Sequence, residues 1–297
     1  MIEHLNTEKR NEKTADLDQM SVLEILTVMN QEDETIPKAI AKELPAIEKM
    51  VKAVITAFEK GGRLFYIGAG TSGRLGILDA VECVPTFGTE PEMVQGLIAG
   101  GAKAIKDAVE GAEDSEELAV ADLKAAQLTE NDVVIGIAAS GRTPYVIGGL
   151  DYAKNIGATT GSIACNAPAE ISEHADIAIE VVSGAEILTG STRLKAGTTQ
   201  KLVLNMISTT AMIGIGKVYK NLMVDVRSTN IKLVRRAKNI IKDATGCDEA
   251  TAERVFEESN HHVKTAIVMV LTNMSYEEAT NSLVENKGFV RRTIAKD

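Results

Sequence analysis

Apolar positions recur along this chain with two different periods, and the points where the period changes mark its organisation. Residues 1–17 are polar, show no period, and read as an arm. From Ser21, placed to cap a helix, a stripe runs through Val22, Leu23, Ile25, Leu26, Val28 and Met29. Pro37 and Pro45 each mark a helix start. The segment Ala46–Lys60 then carries Ile47, Met50, Val51, Val54, Ile55 and Phe58 on one helical face, and Gly61-Gly62 stops it. Beyond it, short apolar runs at Leu64–Ile67, Met93–Ile98, Val133–Ala138, Thr160–Ala164 and Ile177–Val182 read as buried strands. Helical segments at Leu75–Cys83, Ser115–Ala126, Pro144–Asn155 and Gln200–Lys217 separate or follow them.

Uniformly apolar strands alternating with helices are what a parallel sheet covered on both faces requires. The pattern predicts an α/β fold, a three-layer α/β/α sandwich over residues 55–217, with an arm and helices over 1–54 and a helical region over 218–297. Asp248 is placed to cap one helix of that last region, Ser275–Glu278 forms a capping box for another, and Gly288 ends it. The stretch 217–242 holds eight Lys and Arg against one Asp, which reads as the solvated face of helices.

Composition narrows the function. With 42 acidic and 32 basic residues among 297, a net charge of −10, 3% aromatics and no Trp, the chain lacks both the cations and the stacking surfaces of a nucleic-acid binder. No apolar run approaches the roughly 18 residues that span a bilayer, and the N-terminus lacks a signal peptide's apolar segment. Cys83, Cys165 and Cys247 are widely spaced and odd in number, so they read as unpaired. A reducing cytoplasm is the expected compartment, and no membrane or nucleic-acid partner is expected.

Three polar loops interrupt the apolar text. Gly68-Ala-Gly-Thr-Ser-Gly73 follows the first strand and opens a helix, the setting of a dinucleotide site. Against that reading stand the hydroxyls of Thr71 and Ser72, which suit a direct bond to an anion. The second strand, moreover, ends in Gln95-Gly-Leu-Ile-Ala-Gly with no acidic residue for a ribose. A small phosphate held by the loop's backbone N–H groups, the Thr71 and Ser72 hydroxyls and the helix N-terminus fits better. The loop Ser140-Gly141-Arg142-Thr143 repeats this chemistry after the third strand, although either loop alone is also what a capped helix start looks like. The third, Gly184–Thr198, holds Thr189, Ser191, Thr192, Arg193 and Lys195, more polar than a connector needs; Lys195 or Arg193 suits an anionic group, and a salt-bridged surface loop accounts for them as well.

With histidine scarce and no metal-ligand spacing present, acid–base chemistry falls to carboxylates. Glu82 ends an apolar helix, where its neutral form is expected to be favoured. Glu113 precedes a helix that Asp114 can cap, where its charged form is expected. Spacing alone does not separate either from an ordinary surface glutamate.

Together the runs GAGTSGRLGILDAVECVPTFG (68–88), LIAGG–AVEGAEDS (97–115), VIGIAASGRTPYV (134–146) and GAEILTGSTRLKAGTTQKLVLNM (184–206) closely resemble the N-acetylmuramic acid 6-phosphate etherase family. The resemblance extends from about Ser21 to the end. It also links the chain to the wider sugar-isomerase (SIS) group of phosphosugar-binding domains. It implies a cofactor-free, metal-free carbon–oxygen lyase acting on a phosphorylated amino sugar in peptidoglycan recycling. It further implies a homodimer with sites between subunits and a ubiquitin-associated-like C-terminal bundle. By motif, Glu82 and Glu113 match the family's catalytic glutamates, with the division of acid and base roles open. Gly70, Thr71, Ser72, Ser140, Gly141, Arg142 and Thr143 match its phosphosugar loops, and Glu186, Ser191 and Lys195 its third signature. One departure stands out: Ala138 occupies a position that is serine in many SIS loops, which leaves the phosphate ligands less defined. An aldose–ketose isomerase or a phosphosugar-sensing regulator would share these loops.

Overall fold

The computed structural model describes residues 5–226 and 231–295. The first four residues of the arm, and residues 227–230 of the basic stretch, lie outside the described residues. Cα packing divides the chain into two compact units. One holds the described residues up to Val81 together with Pro91–Ser208, and the other holds Glu82–Glu90 and the described residues from Thr209 on.

The first unit is built on a five-stranded, wholly parallel sheet: β1 (Leu64–Gly68), β2 (Val94–Ile98), β3 (Val133–Ala138), β4 (Thr159–Ala164) and β5 (Ile177–Glu180). These match the five apolar runs to within a residue or two. The spatial order is β2-β1-β3-β4-β5, so the chain leaves β1 toward one side and returns on the other. That reversal opens a crevice beyond the carboxyl ends of β1 and β3. In register, Gly68 stands opposite both Ile98 and Ile137, so these strands end at one level.

Helices cover both faces, which is why the strands are apolar throughout. On one face Phe65, Ile67, Val134 and Ala138 pack with Ala119 and Leu123 of α5 (Glu116–Ala125) and Tyr145, Val146 and Leu150 of α6 (Pro144–Asn155). On the other, Met50 of α2 (Ile36–Glu59) lies so close to Gly161 that a Cβ there has no room. α3 (Gly70–Phe87) lies over Tyr66 on that same face. Before α2 comes α1 (Val22–Asp33), which opens with a complete capping box between Ser21 and Glu24, and the short helices α4 (Gly101–Lys106) and α7 (Glu170–Glu173) follow β2 and β4.

Pro37 sits at the start of α2 as expected, but Pro45 lies inside it and starts nothing. An internal proline costs about 3 kcal/mol. Ile36, Ile40, Ile47, Met50, Val51, Val54 and Phe58 are buried along this helix, each worth about 1.5–3 kcal/mol, and together they outweigh the break. The stripe of α1 is not a core face either. Val28 is buried, but Val22, Leu23 and Leu26 are 75%, 73% and 57% exposed.

The second unit is a bundle of α9 (Ile231–Thr245), α10 (Glu249–Glu258), α11 (Val263–Thr272), α12 (Tyr276–Glu285) and α13 (Val290–Ile294) around Ile241, Phe256, Ile267, Val268 and Ala279. Asp248 caps α10 through Thr251 N at 2.8 Å, and Ser275 and Glu278 form the capping box of α12. A short hairpin, Val218–Tyr219 with Leu222–Met223, is an element that the apolar pattern does not mark.

Candidate functional site at the carboxyl ends of the strands

Glycine shapes the loop after β1 at three points. A Cβ on Gly73 would fall 2.6 Å from Gly68 O, and one on Gly68 would fall 2.9 Å from Gly73 N. Strand end and helix start therefore touch backbone to backbone. Gly70 sits between them at φ +52°, with open space where a side chain would be. Helix α3 begins at once, presenting its first N–H groups at the carboxyl end of β1. Thr71 is half-buried. Ser72 is buried and its hydroxyl donates to Gln200 Oε1 at 2.9 Å, so its proton serves the protein's own structure. Gln200 Nε2 is buried with no hydrogen-bond partner.

The loop after β3 lies at the same level. Gly141 takes φ +78° and approaches Ala169 too closely for a Cβ. Thr143 stands at the N-cap of α6 yet makes no capping hydrogen bond, so a merely capped helix start does not describe this loop. Asn166, just past β4, fixes it from the side: Nδ2 donates to Ala139 O at 3.1 Å. Its Oδ1 accepts from Asn6 N at 2.6 Å, which ties the N-terminal arm to the strand ends.

The third loop leads into α8 (Lys195–Gly214), which starts five residues earlier than its apolar pattern suggests. The cause is Glu186. It is 1% exposed and accepts from Lys195 N at 2.8 Å and Ala196 N at 2.9 Å, so a carboxylate caps the helix start. Burial pushes its pKa up, and the two backbone N–H groups work against that. Lys195 is buried as well, with Nζ 2.8 Å from Glu32 Oε2, while Lys13 meets the other oxygen at 2.8 Å. Burial opposes the charge on Glu32, but the two ammonium groups hold its pKa down to about 2. Glu186 and Lys195 are thus engaged within the chain, and Ser191 is half-buried in the loop between them. Gly197 approaches Thr71, so α8 and α3 begin side by side. Of the three helix N-termini here, that of α8 is occupied by Glu186.

Glu113 lies exposed in a short turn, Ala112–Asp114, ahead of α5. Ser115 rather than Asp114 caps that helix, accepting from Leu118 N at 3.2 Å, because the extended backbone at Ser115 brings its hydroxyl over the first turn. Ala112, like Ala69 of the glycine loop, packs on the cluster that includes Ala99 and Ala138, which brings the turn to the same end of the sheet as that loop. Arg74 adds a tie from α3, donating to Ile105 O at 3.0 Å and Asp107 O at 3.2 Å on the way to Glu113.

Glu82 is not brought to the loops. Twelve residues separate it from Gly70 along α3, about 18 Å of helix. The apolar enclosure expected around it is also missing in the single chain. Glu82 is exposed, and Leu78 and Val81 beside it are 50% and 60% exposed. One turn before it, Asp79 is buried and accepts from Tyr66 Oη at 3.0 Å, Asn205 Nδ2 at 2.7 Å and Ser208 Oγ at 3.0 Å. Burial raises its pKa despite these three donors. This buried network, with Asn166, Gln200 and Arg74, is the part of the site region that sequence reasoning missed. Its only signal was an Asp inside an apolar helix.

Among the described residues no three His, Cys, Asp or Glu side chains gather as metal ligands, and no helix is long and apolar enough to cross a membrane. No disulfide links the three cysteines, and burial pushes the Cys165 thiol up to about 12.

Comparison with known proteins fits this geometry. The family model described as the glucokinase regulatory protein N-terminal SIS domain matches residues 46–154, and the SIS domain model matches residues 110–211. A solved Bacteroides fragilis protein, named for phosphosugar isomerisation and capsule formation, shares the fold at a TM-score of 0.50 and 20% identity. The match covers 65% of this chain and 91% of that one. Much closer in sequence are the N-acetylmuramic acid 6-phosphate etherases of a Geobacillus species and an Exiguobacterium species. They are 67% and 65% identical over 99% of this chain and all of their own length. At that identity and coverage, the chain belongs to the N-acetylmuramic acid 6-phosphate etherase family.

Proposed function

We propose that the chain cleaves the D-lactyl ether of N-acetylmuramic acid 6-phosphate with water, releasing D-lactate and N-acetylglucosamine 6-phosphate in the cytoplasm during peptidoglycan recycling. The observation that carries the phosphosugar part is the pairing of two helix N-termini, α3 and α6, at the β1/β3 crevice, with Thr143 free of any capping bond. Backbone N–H groups there favour a dianion. Thr71, Ser140 and Thr143 supply hydroxyls, Gly70 and Gly141 the close approach, and Arg142 a cation at the loop. Ser72, held by Gln200, acts by ordering the loop. Glu186 and Lys195 act through α8, fixing its start against Thr71, and Ser191 lies in the turn that leads there.

The chemistry follows from the substrate. Ring opening makes C1 an aldehyde, which acidifies the C2 proton. Glu113 takes that proton, the C3–O bond breaks, and Glu82 protonates the departing lactyl oxygen. Water then adds to the unsaturated aldehyde at C3 and returns a proton to C2, so one water is consumed overall. No step calls for a cofactor.

The separation of Glu82 from its own loop supports a homodimer in which a second copy completes each site. The exposed Leu78 and Val81 of α3, and Val22, Leu23 and Leu26 of α1, are apolar faces suited to such an interface. The test is D-lactate release by EDTA-treated enzyme in D2O. Lactate together with deuterium at C2 of the product supports the elimination. A ketose product without lactate would instead mean an isomerase.

A further inference from the structure

The second unit contains a cavity of about 720 Å³, lined entirely by its own residues. That volume is in the range of small-ligand sites. Its wall is charged in an uneven way. Asp225 Oδ2 accepts from Lys264 Nζ at 2.6 Å and lies 3.4 Å from Lys217 Nζ, so two ammonium groups share one carboxylate. The Lys264 side chain is only 13% exposed. Burial and the neighbouring Lys217 charge lower its pKa, and Asp225 offsets this only in part. Lys287, His261 and His262 line the same space, with Glu90 the other carboxylate.

The cavity's backbone and polar atoms add to this. Helix α11 starts there with His262 at its N-cap and no side-chain capping bond, so the positive end of the helix dipole adds to the lysines. Asn260, His261 and Lys287 take φ of +52°, +66° and +52°, a left-handed backbone that non-glycine residues adopt at a cost. Thr280 Oγ1 is buried without a hydrogen-bond partner. Excess positive charge, strained backbone, an unused hydroxyl and room for a sugar-sized body meet at one place.

We propose that this cavity binds a phosphate monoester, its dianion between Lys217, Lys264 and the start of α11 and its organic body toward Thr280 and Leu283. A dianion would balance the second ammonium at Asp225, which a neutral sugar leaves unbalanced. The inference does not depend on the lyase reaction, whose failure would show as absence of lactate.

Equilibrium dialysis of the full-length protein against labelled glucose 6-phosphate tests it, with circular dichroism confirming that each variant is folded. Lys217→Gln and Lys287→Gln each remove one cation at the cavity and leave the Lys264–Asp225 pair intact. Lys217→Gln is expected to weaken one class of binding about tenfold, the worth of a charge-assisted hydrogen bond, and Lys287→Gln to weaken it less, through the lost charge alone. Thr71→Val in the first unit should leave that class unchanged. Binding indifferent to both lysine variants, binding eliminated by Thr71→Val alone, or no measurable binding would overturn the proposal.

Discussion

At the scale of single residues, Glu82→Gln keeps the side chain's size and removes its transferable proton. The variant is expected to lose D-lactate release by at least about a hundredfold, as general acid–base groups do. Its thermal unfolding should be unchanged, because Glu82 is exposed. A Glu82→Gln enzyme with near-normal turnover would remove the residue from the chemistry. Glu32 makes a different prediction. Its pKa falls from 4.5 to about 2 on folding, so its stabilising effect is complete above the unfolded value and lost as pH falls toward 2. The amount is roughly 3 kcal/mol. Urea unfolding compared at neutral pH and near pH 3 should show wild type losing more stability than Glu32→Gln. Both Glu186 and Lys195 stand out in the sequence, yet spacing cannot separate a helix cap from a ligand. The Glu32 partner of Lys195 lies 163 positions away. Asp79 was hidden for the same reason, since two of its donors come from α8, on the far side of the sequence.

At the scale of elements, the loops were legible because their information is local. A glycine beside a strand end, a hydroxyl two residues on and a helix after it require one another by sterics alone, and Gly68, Gly70 and Gly73 sit where that pattern puts them. What depends on tertiary packing was not legible. Pro45 looked like a boundary but is carried inside α2 by burial on both sides of it, and α8 starts early because a carboxylate from the preceding loop caps it. If the two loops hold phosphate, Thr71→Val and Ser140→Ala should each raise KM for the phosphosugar by about tenfold and leave kcat within a few-fold, the mark of an interaction shared by ground and transition states. A fall in kcat at constant KM would place those hydroxyls at the reacting carbons instead.

At the scale of the molecule, the parallel sheet was readable from uniformly apolar strands, whereas the strand order that creates the crevice was not. Assembly carries the next prediction. Leu78→Glu places a charge on an exposed helix face, which a monomer tolerates within about 0.5 kcal/mol. Sedimentation velocity is expected to show a dimer for wild type and a monomer for Leu78→Glu, with lactate release lost in parallel. A monomeric wild type with full activity would mean that each chain builds its site alone.

The N-terminal arm bears on how the chain reaches this state. Asn6 N meets Asn166, Thr14 Oγ1 donates to Ile187 O at 2.9 Å, and Lys13 reaches Lys195 through Glu32. These residues leave the ribosome before their partners, which are made some 160 to 173 positions later. Contacts of such range close late and slowly. Asn6, Lys13 and Thr14 therefore wait in solvent while the sheet is synthesised, and they lock the strand ends only after α8 has begun. A nascent chain stalled before Ile187 would carry a loose, protease-sensitive segment over residues 6–14, and one released beyond Lys195 would not.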